Sequence, residues 1–294
     1  PVPTDSELPH EIEVIIIGGG IIGVCAALTL AEHGIPVALF EKGEIAAEQS
    51  SRNWGWCRQQ GRDPREMPLI IESLRLWRGM NTRIQRNVGF SECGVLTLAQ
   101  NDTELAKQHA WSTIGKEHGV NNELLNGKDV VQHIPECTTS WKGGLFTPSD
   151  GRAEPTLAAP AIALAARGLG AKLFTNTAVR TIDTQGGRVS GAVTERGRVR
   201  CKTVIVAAGA WTSLFLRNLG VRVPQLKVRS SAFRTHPMPG GPEISIYASG
   251  FAARKRSDGG YTIALGGRTR IPYDLTLDSF RFLREFVPLG WMSR

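Results

Sequence analysis

Between residues 14 and 40 the apolar positions fall in unbroken blocks separated by glycine. Val14-Ile15-Ile16-Ile17 is a β-branched run with no polar break, the pattern of a central strand covered on both faces. Gly18-Gly19-Gly20-Ile21-Ile22-Gly23 follows at once, then small and apolar residues over 24–33 that predict a helix. Gly34 stands where a helix C-cap belongs. A second apolar run, Val37-Ala38-Leu39-Phe40, closes on Glu41, so the pattern predicts strand, tight turn, helix and strand. Residues 14–31 are also uncharged for long enough to meet the length of a membrane span. Three adjacent glycines near the start, preceded by Glu11 and Glu13 instead of a basic leader, favour the buried strand and helix.

Helical spacing recurs at Ile70, Leu74 and Trp77 after Pro68, and over residues 280–286 before a Pro288-Leu289-Gly290 turn. Residues 155–169 read as a helix closed by Gly170, with Pro160 leaving its starting point open. Residues 171–175 predict a strand and residues 177–180 the start of another. Gly186-Gly187 marks a turn, and residues 188–194 and 199–203 alternate as antiparallel strands. Val204-Ile205-Val206-Ala207 is a buried strand running into Ala208-Gly209-Ala210-Trp211. Residues 90–98 and 261–265 predict further strands.

A chain of 294 residues, 41% hydrophobic and 21% charged, has room for one large or two intimate domains and is not disordered. Its net charge of +8 is dispersed, apart from short arginine knots at 196–200, 254–256 and 268–270. No stripe of aromatics interleaved with basic residues accompanies them, so a solvated surface is expected and nucleic acid is not a partner. Cys25, Cys57, Cys93, Cys137 and Cys201 lie far apart with no C-x-x-C pair, which argues against a disulfide framework or a metal site and for the cytoplasm.

The glycine spacing assigns a task to each position. Gly18 permits a tight turn, Gly20 lets the backbone approach a pyrophosphate, and Gly23 lets the helix close on the strand. The helix start then offers N–H groups and a positive dipole end to a diphosphate. Glu41 is placed to accept ribose hydroxyls and to repel a 2′-phosphate. After Glu41 the chain leaves the regular βα alternation of an NAD domain for a polar stretch over residues 49–56. Its hydroxyls, amide, arginine and glycine suit a loop running along an extended cofactor such as FAD.

In order and spacing, IIIGGGIIG, the EKG after the second strand, SSRNWG, DGRAEP, TNTAV and VIVAAGAWT resemble the FAD-dependent D-amino-acid oxidase family. That family includes glycine oxidase, sarcosine oxidase and D-amino-acid dehydrogenases, and the matching stretch runs from Val14 to about Gly267. The resemblance implies an α/β fold with a Rossmann-like FAD-binding domain (residues 11–80 and 150–220). Interwoven with it would be an antiparallel-sheet α+β substrate domain (residues 81–149 and 221–294), itself incomplete. It implies FAD phosphate on Gly18, Gly20, Ile21, Ile22 and Gly23, and the adenosine ribose on Glu41 with Lys42. Ser50, Ser51, Arg52 and Asn53 would lie along the phosphate and flavin, with Trp54 and Gly55 nearer the ring. Val179 would meet adenine through its backbone, and Ala208, Gly209 and Trp211 would pack beside the nucleotide. Core packing is the plain alternative for Trp211, and loop capping for Ser51 and Asn53.

The activity this implies is oxidation of an amine C–N bond by hydride transfer to flavin, giving an imine that hydrolyses. The substrate would be a D-amino acid, a secondary amino acid or an opine-like conjugate. The flavin carries that chemistry, so no catalytic side chain is assigned. A substrate carboxylate needs a cation, and Arg58, Arg254 and Arg268 are the candidates, each with a surface ion pair as the alternative. Trp54 and Trp56 wall an apolar pocket or belong to the core. Oxygen, a quinone or a protein partner would reoxidise the flavin; no transmembrane segment is expected, and peripheral membrane association stays open. Family members continue past the point matching Leu265-Gly266-Gly267, and no second Gly-rich flavin loop follows Gly267. The chain is therefore expected to lack the family's C-terminal segment and to hold FAD less firmly. The alternative is a truncated, non-catalytic binding or scaffold protein.

Overall fold

The computed structural model describes residues 1–135, 137–228, 230–265, 273–274 and 279–292. The chain forms two compact units, one of residues 1–52, 156–229 and 272–294, the other of residues 53–155 and 230–271.

The first unit carries a six-stranded sheet in the spatial order Lys172–Phe174, Val37–Phe40, Glu11–Ile17, Gly197–Val206, Arg188–Thr194, Val179–Gln185. We label Glu11–Ile17 β1, Ile21–Glu32 α1 and Val37–Phe40 β2. β1 lies parallel to β2 on one side and to Gly197–Val206 on the other, with Ile17 opposite both Phe40 and Val206. Ile15 and Ile16 are fully buried, which is why this run tolerates no polar residue. Ile15, Phe40, Phe174 and Cys201 meet in one core cluster, where Phe40 and Phe174 stack at 4.8 Å. α1 closes at His33, and Gly34, at φ +69°, donates its N–H to the Ala31 carbonyl.

Residues 199–203 and 204–207, expected as two strands, form a single strand, Gly197–Val206. It pairs antiparallel with Arg188–Thr194 along one edge and parallel with β1 along the other. Its burial alternates at first and becomes continuous over its last three residues, and that change of pattern mimics a break. Helix Pro155–Gly168 contains Pro160 in its second turn. The N–H missing there would have served the carbonyl of Thr156, an exposed residue, so solvent can meet that group instead. Pro288 repeats the arrangement inside helix Leu283–Met292, with exposed Arg284 four residues before it, where a turn was expected.

The second unit carries a seven-stranded sheet in the order Ala232–Arg234, Tyr261–Ala264, Phe251–Lys255, Ser245–Ala248, Val95–Ala99, Gly143–Thr147, Glu123–Asn126. Ser245–Ala248 runs parallel to Val95–Ala99, and the other pairs are antiparallel. Leu96, Leu98, Val130, Trp141 and Ile246 form its core. Of residues 90–98, expected as one strand, only those from Val95 onward join the sheet.

The chain thus passes between units at 52/53, 155/156, 229/230 and 271/272, where sequence reading expected 80/81, 149/150 and 220/221. A ribbon of Trp56–Cys57 against Gly151–Arg152 draws residues 53–80 into the second unit. An ion pair of 2.6 Å between Arg222 and Glu285 holds the last segment in the first. Among the described residues no helix is long and apolar enough to cross a membrane.

Candidate functional site

β1 hands the chain to Gly18, whose N–H bonds the Phe40 carbonyl at 2.8 Å. Gly18 has φ +113°, and a Cβ there would stand 2.4 Å from the Ala207 carbonyl oxygen, so the turn requires glycine. A Cβ at Gly23 would stand 1.9 Å from the carbonyl oxygen of Gly18, which is the close approach that glycine was expected to serve. α1 begins after Gly20, with no side-chain cap from that residue and no acid in its first turn. Its Ile21 N–H donates to Ser50 Oγ at 2.9 Å. The positive end of the helix therefore meets no carboxylate of its own first turn, which suits it to a diphosphate.

Glu41, buried at the end of β2, accepts the N–H of Gly19 at 2.7 Å through Oε2 and that of Gly43 at 2.8 Å through Oε1. Each carboxylate oxygen retains a second lone pair for a hydroxyl donor. Glu41 thus shapes the glycine loop as well as offering an acceptor beside it. Replacing it by alanine is expected to weaken FAD binding about 10- to 100-fold in a flavin-fluorescence titration, the effect of losing one or two charged hydrogen bonds.

A cavity of about 670 Å³ within the first unit brings together Gly18, Gly20, Ile21, Ile22, Glu41, Lys42 and Ser50 from the N-terminal segment. Val179, Ala208, Gly209 and Trp211 face it from later strands and turns. Trp211 lies at this wall with Lys42 Nζ 3.6 Å above its ring, and the same Nζ sits 3.0 Å from Glu48. Lys42 therefore braces the wall. Arg180, Phe215 and Asn218 also line the cavity and escaped sequence reading; the helix after the AAGAWT run was the available signal for the last two.

Other residues expected at the cofactor do not line this cavity. Gly23 sits behind the loop, outside the lining. Ser51 and Arg52 point at Glu48, the hydroxyl at 3.4 Å from its carbonyl and the guanidinium at 3.8 Å from its carboxylate. Asn53, Trp54 and Gly55 belong to the second unit, where Asn53 Oδ1 caps the Gly55 N–H at 2.6 Å. The glycine floor, a helix start with no acid in its first turn and the Glu41 acceptor fit the adenosine diphosphate half of FAD.

The second unit holds a cavity of about 900 Å³ whose wall includes Trp54, Trp56, Arg58 and Gln60. Trp54 and Trp56 meet edge to face at 5.0 Å, and Trp56 meets Tyr247 likewise at 6.1 Å. Arg58 is half-buried, 5.9 Å from the Trp56 ring, and donates to the Gln60 carbonyl. Among the described residues it forms no ion pair. Burial, together with the charge of Arg62, pulls its guanidinium below the ordinary arginine value.

Asp150 fixes this turn. Fully buried, its carboxylate accepts the Gln59 N–H at 2.7 Å and the Gln60 N–H at 3.0 Å. The Gln60 amide in turn donates to the Leu145 carbonyl at 2.8 Å. Burial pushes the Asp150 carboxyl above its usual range, against the pull of these hydrogen bonds. Asp150→Asn turns one acceptor into a donor facing an N–H, and is expected to lower unfolding stability by about 1–3 kcal/mol in urea titrations.

Arg254, proposed from the sequence as a carboxylate anchor, does not line this cavity. It is 2% exposed and its guanidinium is held by Glu154 at 2.7 and 3.3 Å, so its charge is already engaged. Arg268 lies outside the described residues. Trp111, Gln108 and Tyr247, which sequence reading passed over, complete the wall from a helix and a strand far along the chain.

The loop, helix and acid of the first unit define a Rossmann-type dinucleotide-binding domain. A profile of FAD dependent oxidoreductases matches residues 13–287, and the chain belongs to that family, whose cofactor is FAD. It is 32% identical over 226 residues to sarcosine oxidase subunit beta of Rhizobium meliloti, covering 74% of this chain and 53% of that protein. It is 28% identical over 243 residues to a formaldehyde-forming 4-methylaminobutanoate oxidase of Paenarthrobacter nicotinovorans, covering 82% of this chain and 30% of that one. The L-amino acid deaminase of Proteus myxofaciens, solved with anthranilate, superimposes with a TM-score of 0.91 at 33% identity. That match covers 96% of this chain and 64% of the deaminase. The chain thus spans only part of the length of each of these relatives.

Proposed function

We propose that the protein oxidises the C–N bond of an amino acid with FAD, giving an imine that water hydrolyses. The observation that carries the reading is Arg58, a half-buried cation that forms no ion pair among the described residues and lines a cavity walled by aromatic rings, in a chain of this family. FAD, once bound, would supply the acceptor for the hydride leaving the carbon next to nitrogen. Backbone groups of Gly20 and Ile22 at the start of α1 would hold the diphosphate, Glu41 and Ser50 would take polar contacts beside it, and Val179, Ala208, Gly209 and Trp211 would flank the nucleotide. Arg58 takes the substrate carboxylate and fixes its orientation, while Trp54 and Trp56 exclude water from it. Relatives named for sarcosine, glycine and L-amino acids support an amino-acid substrate. Five free cysteines fit a reducing cytoplasm, and oxygen or a quinone or protein partner serves as acceptor.

One observation favours a second, non-catalytic reading. The regulatory subunit of mouse pyruvate dehydrogenase phosphatase is 25% identical over 206 residues. Anaerobic addition of amino acids and N-methyl amino acids to the FAD-loaded chain separates the two. Bleaching of the flavin bands by any of them supports the oxidase reading, whereas a fully loaded chain that none of them bleaches supports the regulatory one.

A further inference from the structure

We infer that the cavity of the second unit selects a carboxylate-bearing amine with a large aromatic or branched apolar side chain over one of glycine or sarcosine size. The inference rests on the proposed amino-acid activity and names the substrate class for it. The cavity, open on one side, has a volume of about 900 Å³, near the upper end of small-molecule sites, and a glycine-sized molecule would leave most of it to water.

Aromatic rings form much of its wall. Trp54 and Trp56 come from the loop and ribbon at residues 53–57, Trp111 from helix Asp102–Glu117 and Tyr247 from strand Ser245–Ala248. Trp111 spends its one polar group on the Arg62 carbonyl at 2.9 Å, which fixes the ring and leaves it apolar towards its surroundings. Leu145 adds an aliphatic surface. Four rings from three segments, three of them in edge-to-face contact, are an arrangement for burying another large apolar group.

Polar groups line the rest: Arg58 and Gln60 from one turn, Glu104, Lys107 and Gln108 from one helix, and Thr97 and Ser249. Arg58 supplies the cation, and burial lowers its guanidinium below the usual value, so an anion there gains from a site that water serves poorly. Gln108, 7% exposed, lines the same cavity, and its side-chain oxygen has no hydrogen-bond partner among the described residues; it is an acceptor suited to an ammonium N–H. Glu104 at the edge is already engaged by the Gln100 N–H at 2.8 Å, and Lys107 is exposed. A cation, an acceptor and an aromatic wall together match an amino acid whose side chain is bulky.

The test uses the FAD-loaded full chain and three unreactive carboxylates: acetate, phenylacetate and cyclohexylacetate. Binding is read by calorimetry and by quenching of tryptophan emission. Phenylacetate and cyclohexylacetate are expected to bind about 30-fold or more tightly than acetate, from the apolar area they bury. Arg58→Gln is expected to weaken both about 10- to 100-fold, and Trp111→Leu to narrow the preference below about 5-fold at unchanged flavin content. Equal affinity for acetate and phenylacetate in the unaltered protein overturns the inference, as does full affinity in a folded Arg58→Gln protein. The two readings fail separately. Flavin bleaching by amino acids regardless of side-chain size overturns this inference and leaves the activity. Selective carboxylate binding with no bleaching leaves the cavity's preference and overturns the activity.

Discussion

Gly23→Val is expected to abolish FAD retention, with affinity at least about 100-fold weaker and Gly23→Ala already most of the way there. The reason is geometric. A Cβ at residue 23 would lie 1.9 Å from the Gly18 carbonyl oxygen, and ordinary van der Waals contact at such a place is 3.4–4 Å. The clash is with backbone, so no side chain can swing away, and α1 must move off the loop as a body. Gly20 and Ile21 travel with it, and the Ile21 bond to Ser50 and the Gly19 bond to Glu41 are drawn out of line. The diphosphate then meets N–H groups that no longer converge. Gly34→Ala is the control. Its φ of +69° makes any side chain strained, but nothing lies within 4 Å of the new methyl, so stability should fall by about 1 kcal/mol with FAD affinity retained. Fluorescence titration with FAD and urea unfolding of the variants give the ranking. Unchanged affinity in Gly23→Ala would mean that the approach of α1 to the loop does not frame the site.

This part of the molecule was legible because its signals are local. An unbroken apolar run, spaced glycines and an acid at the end of the next strand all fall within residues 14–41, and each has a steric or dielectric reason to be where it is. The second cavity was legible only in part. Trp54, Trp56 and Arg58 were picked out from one loop, but Trp111 and Tyr247 reach it through a helix and through the parallel pairing of Ser245–Ala248 with Val95–Ala99. Such long-range register leaves no trace in local periodicity. The single strand Gly197–Val206 was misread for a related reason, since its neighbours differ in direction and cover its residues unevenly. Arg254 shows the same limit for charge. Nothing in its own neighbourhood names Glu154, one hundred residues earlier, as the group that occupies it.

That buried pair sets the second large effect. Glu154→Ala is expected to destabilise the second unit by about 3–5 kcal/mol, the range for leaving a buried charge without its partner. Glu154 Oε1 accepts Arg254 Nη1 at 2.7 Å, the Ser257 N–H at 2.9 Å and Arg152 Nη1 at 3.4 Å, while Oε2 takes Arg254 Nη2 at 3.3 Å. One carboxylate therefore serves two buried arginines, and the Nε of each has no partner among the described residues. Removing the acid strands both cations together. Arg254→Met removes only one, leaving Glu154 with Arg152 and the Ser257 N–H, so its loss should be smaller, about 1–3 kcal/mol. The double change Glu154→Leu with Arg254→Met should regain part of the single loss, limited by Arg152, which would remain buried alone. Urea unfolding followed by tryptophan emission measures all three. The order carries the argument, because a plain packing role predicts the reverse: the arginine is the larger side chain and the more deeply buried. Arg152 pairs with Trp56 across the short ribbon, so the loss of Glu154 should also reach the aromatic wall. Carboxylate binding should then weaken in Glu154→Ala at temperatures where the protein is still folded, and stay near normal in Arg254→Met.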